Sequence, residues 1–193
     1  MKTIFYNDPA LSSWTPRSIF LAGPTSRDVI RSPWRQEAVD MLSLLRPEGL
    51  VILPEFRDRK FDRAFFEAQP PEAHTSGDVL GLLPGMKHSS QVILNWETAC
   101  IDHANVLLVW MPFCDETPGK TTRCEVSRAI AQHTALQMAP QLVLGIPEGA
   151  DTTGHIRYHA AQAGIRIHST LRDCCIDAAH RTRYYGDAEV PAQ

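Results

Sequence analysis

The residues equipped for chemistry gather in one short polar stretch, Gly119-Lys120-Thr121-Thr122-Arg123-Cys124-Glu125. It follows the apolar run Asn105-Val106-Leu107-Leu108-Val109-Trp110 and opens an amphipathic segment. That order puts the Glu125 carboxylate beyond the C-terminal end of a buried strand, at the start of a helix. Open α/β sheets bind their ligands at this edge. A second acid, Glu97, stands in Gln91-Val92-Ile93-Leu94-Asn95-Trp96-Glu97, just before the same strand. Two carboxylates that converge on one cleft are the equipment for cutting a glycosidic bond. Taken singly, each has a plainer account. Glu125 fits a first-turn acid favoured by the helix dipole, and Glu97 fits a solvated helix position beside a core Trp96.

The elements that must position these acids follow from the apolar pattern. Apolar runs alternate with helical spacing, which predicts a parallel sheet flanked by helices. Ser18-Ile19-Phe20-Leu21-Ala22 reads as the first strand and ends at Gly23-Pro24. Ser32-Pro33 reads as an N-cap followed by proline at the first helical position. Trp34, Ala38, Met41, Leu42 and Leu45 then form a buried stripe. Leu50 to Leu53 is the second strand. The segment from Arg57 to Ser89 is the least regular, a long excursion with a short helix expected near Ala64 to Ala68; such loops are usually functional. A helix from about Gln91 to His103 leads into the third strand, Asn105 to Trp110. The next helix runs from Thr122 to Gln137, with Val126, Ile130 and Ala131 on one face. Gln141 to Ile146, a short helix from Ile156 to Ala163, Gly164 to His168, and a last helix from Leu171 to His180 complete the series. Five strands with right-handed crossovers predict an α/β, flavodoxin-like three-layer sandwich with a five-stranded parallel sheet. The expectation is a single domain over residues 1–193, with its core from about 18 to 180.

In that arrangement the strand ends gather four loops, Gly23 to Asp28, Pro54 to Arg57, Met111 to Glu125, and Pro147 to Gly154. The first offers Gly23, Thr25, Ser26 and Arg27: backbone N–H groups, hydroxyls and a guanidinium suited to a phosphate or a sugar. It equally fits an ordinary strand-to-helix turn. Glu55, Asp115, Thr121 and Thr122 add carboxylates and hydroxyls at the same edge, where Glu55 equally fits an N-cap or a surface role and Asp115 fits a plain polar loop. The loop is not a P-loop and not a dinucleotide fingerprint, since neither glycine pattern is present, and no G-x-S-x-G elbow occurs. His155 and His159 have i, i+4 spacing, but no third ligand stands nearby, so a helix surface suits them better than a metal. The sequence calls for no cofactor and no metal.

Composition narrows the partners. A formal charge of −3 argues against a nucleic-acid polymer as partner. No apolar run approaches a membrane span, and Met1 to Pro9 lack the apolar stretch of a signal peptide. The five cysteines, Cys100, Cys114, Cys124, Cys174 and Cys175, form no C-x-x-C pair and read as reduced thiols of a cytoplasmic protein. Cys124 beside Glu125 is a poor nucleophile, because the adjacent carboxylate disfavours its thiolate.

The motifs also have a family likeness. Ile19 to Thr25, Ser32-Pro33-Trp34-Arg35 leading to Glu37-Ala38, and Val51-Ile52-Leu53-Pro54-Glu55 resemble the N-terminal half of the nucleoside 2-deoxyribosyltransferase-like proteins. Gln91-Val92 with Trp96-Glu97, and Ala104 to Trp110 with Pro112, resemble that family's central motif. Gly119, Thr121, Thr122 and Glu125 resemble its catalytic loop. The likeness covers the chain from about Ser18 to Leu171. It implies a flavodoxin-like fold, a homo-oligomer, and cleavage of a nucleoside's N-glycosidic bond by retaining double displacement. By this resemblance Glu125 matches the nucleophile and Glu97 the acid that handles the proton on the base. Asp115 matches an acid of the loop that holds base or sugar. Asn105 replaces the family's usual aspartate, a structural substitution. Val126-Ser127 replaces the Phe-Gly or Leu-Gly that usually follows the glutamate, which leaves base and sugar preference open.

The leading expectation is therefore an enzyme acting on a nucleoside or nucleoside monophosphate, as transferase or hydrolase. A non-catalytic nucleotide sensor is the alternative from another class, motivated by the altered Val126-Ser127 step. A flavodoxin-like flavin binder is the third.

Overall fold

Strands buried on both faces must be apolar throughout, and three segments meet that demand. Ser18–Ala22 and Val106–Trp110 are buried at every position, and Gln141–Gly145 at all but the first. The computed structural model of the chain describes residues 1–6, 17–24, 33–55, 88–112, 119–136, 141–150 and 153–184. Within them the order is β1 (Lys2–Ile4), β2 (Ser18–Ala22), α1 (Pro33–Leu45), β3 (Leu50–Ile52), α2 (His88–His103), β4 (Val106–Trp110), α3 (Lys120–Leu136), β5 (Gln141–Gly145), α4 (Gly154–Gln162), β6 (Ile167–His168) and α5 (Leu171–Tyr184).

The six strands among the described residues are all parallel, in the order β1-β3-β2-β4-β5-β6. Without the edge strand β1, that order is the flavodoxin-like one. The expected layout therefore holds with one strand more than the five read from the sequence. The extra strand is only 3 residues long, and only Ile4 is fully buried. A segment so short has no alternation to read. Its pairing makes it a strand: Lys2 N–H donates to the Gly49 carbonyl at 2.9 Å, and Leu53 N–H to the Ile4 carbonyl at 2.9 Å.

Alternate strand residues feed opposite layers, as the pleat requires. Ile19, Leu21, Val51, Val106, Leu108 and Val143 pack with Ala38 and Leu42 of α1 and with Cys174, Cys175 and Ala178 of α5. Phe20, Ile52, Leu107, Val109, Leu142 and Leu144 pack with Trp96, Cys100 and Ile101 of α2, Val126 and Ile130 of α3, and Ile156 and Ala160 of α4. The α3 stripe is completed by Ala129 rather than by the expected Ala131, which is exposed. At 3.6 residues per turn, Ala131 lies about 140° around the helix from Val126. Leu45 likewise falls off the end of the α1 stripe and is 38% exposed. Asn105 ties the sheet at its other end: its side-chain oxygen accepts from Ser18 N–H at 2.9 Å and from the Ser18 hydroxyl at 3.2 Å.

Cys100, Cys174 and Cys175 are buried free thiols and Cys124 is an exposed one. Burial pushes the Cys174 and Cys175 thiols up to about 12, so they behave as small apolar groups. No helix among the described residues is long and apolar enough to cross a membrane. Cys114 and the expected short helix near Ala64 to Ala68 lie outside the described residues.

Candidate active site

From β2 the chain passes through α1 to β3 on one side; from β3 it passes through α2 to β4 on the other. The strand order therefore reverses between β2 and β4, and α1 and α2 lie on opposite faces there. A crevice at the C-terminal strand ends follows from that reversal. Its floor is tight. A methyl group added at Gly23 would come within 2.5 Å of the Trp110 carbonyl oxygen and 2.5 Å of the Trp34 ring. Only glycine lets the end of β2 lie against β4 at this depth. Trp34 is itself fixed by donating its indole N–H to the Pro24 carbonyl at 3.2 Å.

Arg35 binds the rim together. It sits in the first turn of α1, where the helix dipole disfavours a cation. Its partners offset that cost. Its Nε donates to the Leu21 carbonyl at 3.3 Å, one terminal nitrogen to the Gly23 carbonyl at 2.6 Å, and the other to Glu55 Oε1 at 2.6 Å. Both charged side chains are 1% exposed. The planar fork thus joins the ends of β2 and β3 through one buried ion pair. Its face also lies 4.8 Å from the Trp34 ring.

The other two acids come from the opposite layer. Glu97 lies in α2 and Glu125 in α3, both half-buried. Tyr6, just past β1, donates its hydroxyl to Glu97 Oε1. The Tyr6 and Trp96 rings meet at 4.6 Å between centroids. Burial raises the Glu125 carboxyl to about 7, with the Glu97 charge adding to the rise and Arg35 opposing it. Burial also raises Glu97, against the Tyr6 hydrogen bond and the Arg35 charge. The Tyr6 phenol is pushed well above its ordinary value, first by burial and then by Glu97, with Glu125 adding to it. Tyr6, Arg35, Glu97 and Glu125 therefore share one electrostatic site. Two carboxyl groups raised by burial, one of them raised further by the other's charge, are suited to proton transfer.

Local structure explains the placement of Glu125. Gly119 has φ +55, the left-handed backbone that favours glycine, and its carbonyl accepts from Arg123 N–H at 3.0 Å. That turn starts α3 directly after the segment leaving β4. Thr121 is exposed and Thr122 is 3% exposed on the first turn. Val126 anchors the far side of Glu125 in the core.

Of the residues singled out from the sequence, Gly23, Glu55, Glu97, Glu125, Thr121 and Thr122 lie at the C-terminal sheet edge or on the helices that rim it. Glu55 is turned into the rim by Arg35. Thr25, Ser26, Arg27 and Asp115 lie outside the described residues. Tyr6 and Arg35 were not singled out as site residues. A cation in the first turn of a helix that follows a strand was a legible signal for Arg35. Tyr6 had none, because its place depends on β1. Among the described residues no three His, Cys, Asp or Glu side chains gather to hold a metal ion. His155 and His159 stack at 5.3 Å on α4. No family model and no curated protein matches the chain.

Proposed function

We propose that the protein cleaves the N-glycosidic bond of a nucleoside, a deoxynucleoside or a 5′-monophosphate of either, with Glu125 as nucleophile and Glu97 as the acid that serves the base. The observation that carries this reading is the pairing of Glu97 and Glu125. They come from different helices to one crevice edge, where burial and the Glu97 charge raise Glu125 to about 7. The motif order, which resembles the nucleoside 2-deoxyribosyltransferase-like proteins, supports the same reading.

The Glu125 carboxylate attacks C1′ of the sugar and forms an ester. The C1′–N bond breaks, and its electron pair stays on the base nitrogen, which takes the proton of Glu97. Water or a second base then attacks C1′ from the vacated side and gives its proton to Glu97. Glu125 leaves as a carboxylate. Proton delivery by Glu97 is worth about 10² to 10⁴-fold in rate. Water as acceptor makes the protein a hydrolase and a base makes it a transferase.

The test is chromatographic detection of free base from a panel of ribo- and deoxyribonucleosides and their monophosphates, each with and without a second base. Base release that is lost in Glu125→Ala is expected, and a newly formed nucleoside marks a transferase. Saturable nucleotide binding without base release would instead make the crevice a sensor site.

A further inference from the structure

The glycosyl reading uses Glu97 but leaves its orientation unexplained, and α2 alone does not supply it. Glu97 follows the buried Trp96, and its neighbour across the layer is the segment just past the edge strand β1. Three contacts lock that segment. Ile4 pairs with Ile52 in parallel register. Tyr6 N–H donates to the Glu55 carbonyl at 3.2 Å. The Tyr6 ring, 8% exposed, packs on Trp96 at 4.6 Å. From that position the phenol donates to Glu97 Oε1.

We infer that Tyr6 is a positioning residue for Glu97: it fixes the carboxyl group through Oε1, leaves Oε2 to carry the proton, and stabilises the anion formed when that proton passes to the departing base. This rests on the glycosyl reading. The proton goes from Glu97 to the base nitrogen and Tyr6 keeps its own. Its phenol is held well above its ordinary range, so it stays a donor throughout. Hydrogen bonds to charged groups are stronger than neutral ones, so the contact tightens as the carboxylate forms. Uniform binding of substrate gains nothing from it, so its effect falls on the bond-breaking step.

The experiment compares wild type, Tyr6→Phe, Glu97→Gln and the double variant on a nucleoside and on 4-nitrophenyl 2-deoxyriboside, whose leaving group departs without a proton. Tyr6→Phe keeps the ring on Trp96, and its thermal midpoint checks that it folds. The Glu97 carboxyl is titrated in parallel by ¹³C NMR. On the nucleoside, Tyr6→Phe is expected to lose about tenfold in kcat with KM little changed, the size of a charged hydrogen bond. It should lose almost nothing on the nitrophenyl substrate, nor add to the loss in Glu97→Gln. The Glu97 titration should move up, since the phenol holds it down. Equal losses on both substrates, additive losses in the double variant, or an unmoved Glu97 titration with base release intact would overturn the inference. Wild type that releases no base from any nucleoside would instead overturn the glycosyl reading.

Discussion

Two pairs of ionisable groups, one fully and one partly buried, line the same sheet edge, and they are built on opposite principles. On the α1 face, Glu55 meets Arg35 at 2.6 Å, cation against anion, with both side chains 1% exposed. On the α2 and α3 face, Glu125 meets the charge of another acid, Glu97, and is raised to about 7. The first pair satisfies its charges and ties two strand ends together. The second holds two carboxyl groups where the interior disfavours both charges. A fold gains nothing in stability from that second arrangement, which marks it as a candidate for chemistry. On the proposed glycosyl reading, the difference separates scaffold from machinery within one rim.

Breaking the scaffold pair should have the largest effect on stability. Arg35→Met leaves the Glu55 carboxylate buried without its cation, which costs about 3–5 kcal/mol. For a chain of this size that lowers the thermal midpoint by on the order of 10 °C, read by calorimetry. A loss of under 2 °C would show that the two pairs are not so different.

The machinery pair has a signature in pH. The Glu125 carboxyl has an ordinary value of 4.5 and is raised to about 7 in the fold. The folded state therefore binds more protons than the unfolded state between those values, and stability falls as pH rises through that window. At about 1.4 kcal/mol per pH unit, the loss is on the order of 3 kcal/mol. Urea midpoints across pH 4 to 8 read it, and Glu125→Gln should flatten the curve. The rate follows a different curve. Attack needs the Glu125 anion and base departure needs the Glu97 proton, so kcat/KM rises as Glu125 ionises and falls as Glu97 loses its proton, a bell-shaped profile.

Gly23→Ala strikes the floor that both pairs share. Its methyl group would lie 2.5 Å from the Trp110 carbonyl oxygen, and forced overpacking of this kind costs about 1–3 kcal/mol. Chemical denaturation measures the stability loss, and activity should fall with it as the strand ends part. The smallest effect belongs to an exposed pair. Arg128 reaches Asp102 at 2.6 Å, with side chains 41% and 37% exposed. Arg128→Ala should change stability by less than about 1 kcal/mol, since water already screens the charges.

The same contrast explains what was legible in the sequence. The apolar runs of β2, β4 and β5 announced a parallel sheet because they must be buried on both faces. Glu97 and Glu125 were legible because their places follow from the strand between them. The edge strand β1 was not, because only Ile4 is fully buried in its 3 residues. With β1 hidden, Tyr6 could not be placed, and a contact spanning 91 positions to Glu97 has no local signal. In the sequence Arg35 reads as part of a motif and not as a clamp, because its three acceptors come from Leu21, Gly23 and Glu55. For the same reason the sequence leaves Glu55 open between an N-cap, a surface role and a substrate contact.

On the proposed reading the acid pair exists for glycosyl chemistry at the expense of stability. Base release and thermal midpoint measured on one preparation of Glu125→Gln, beside wild type at pH 8, test it most directly. The account predicts that base release disappears while the midpoint rises, because the substitution removes a buried charge that the fold resists. Unchanged base release in Glu125→Gln would contradict it.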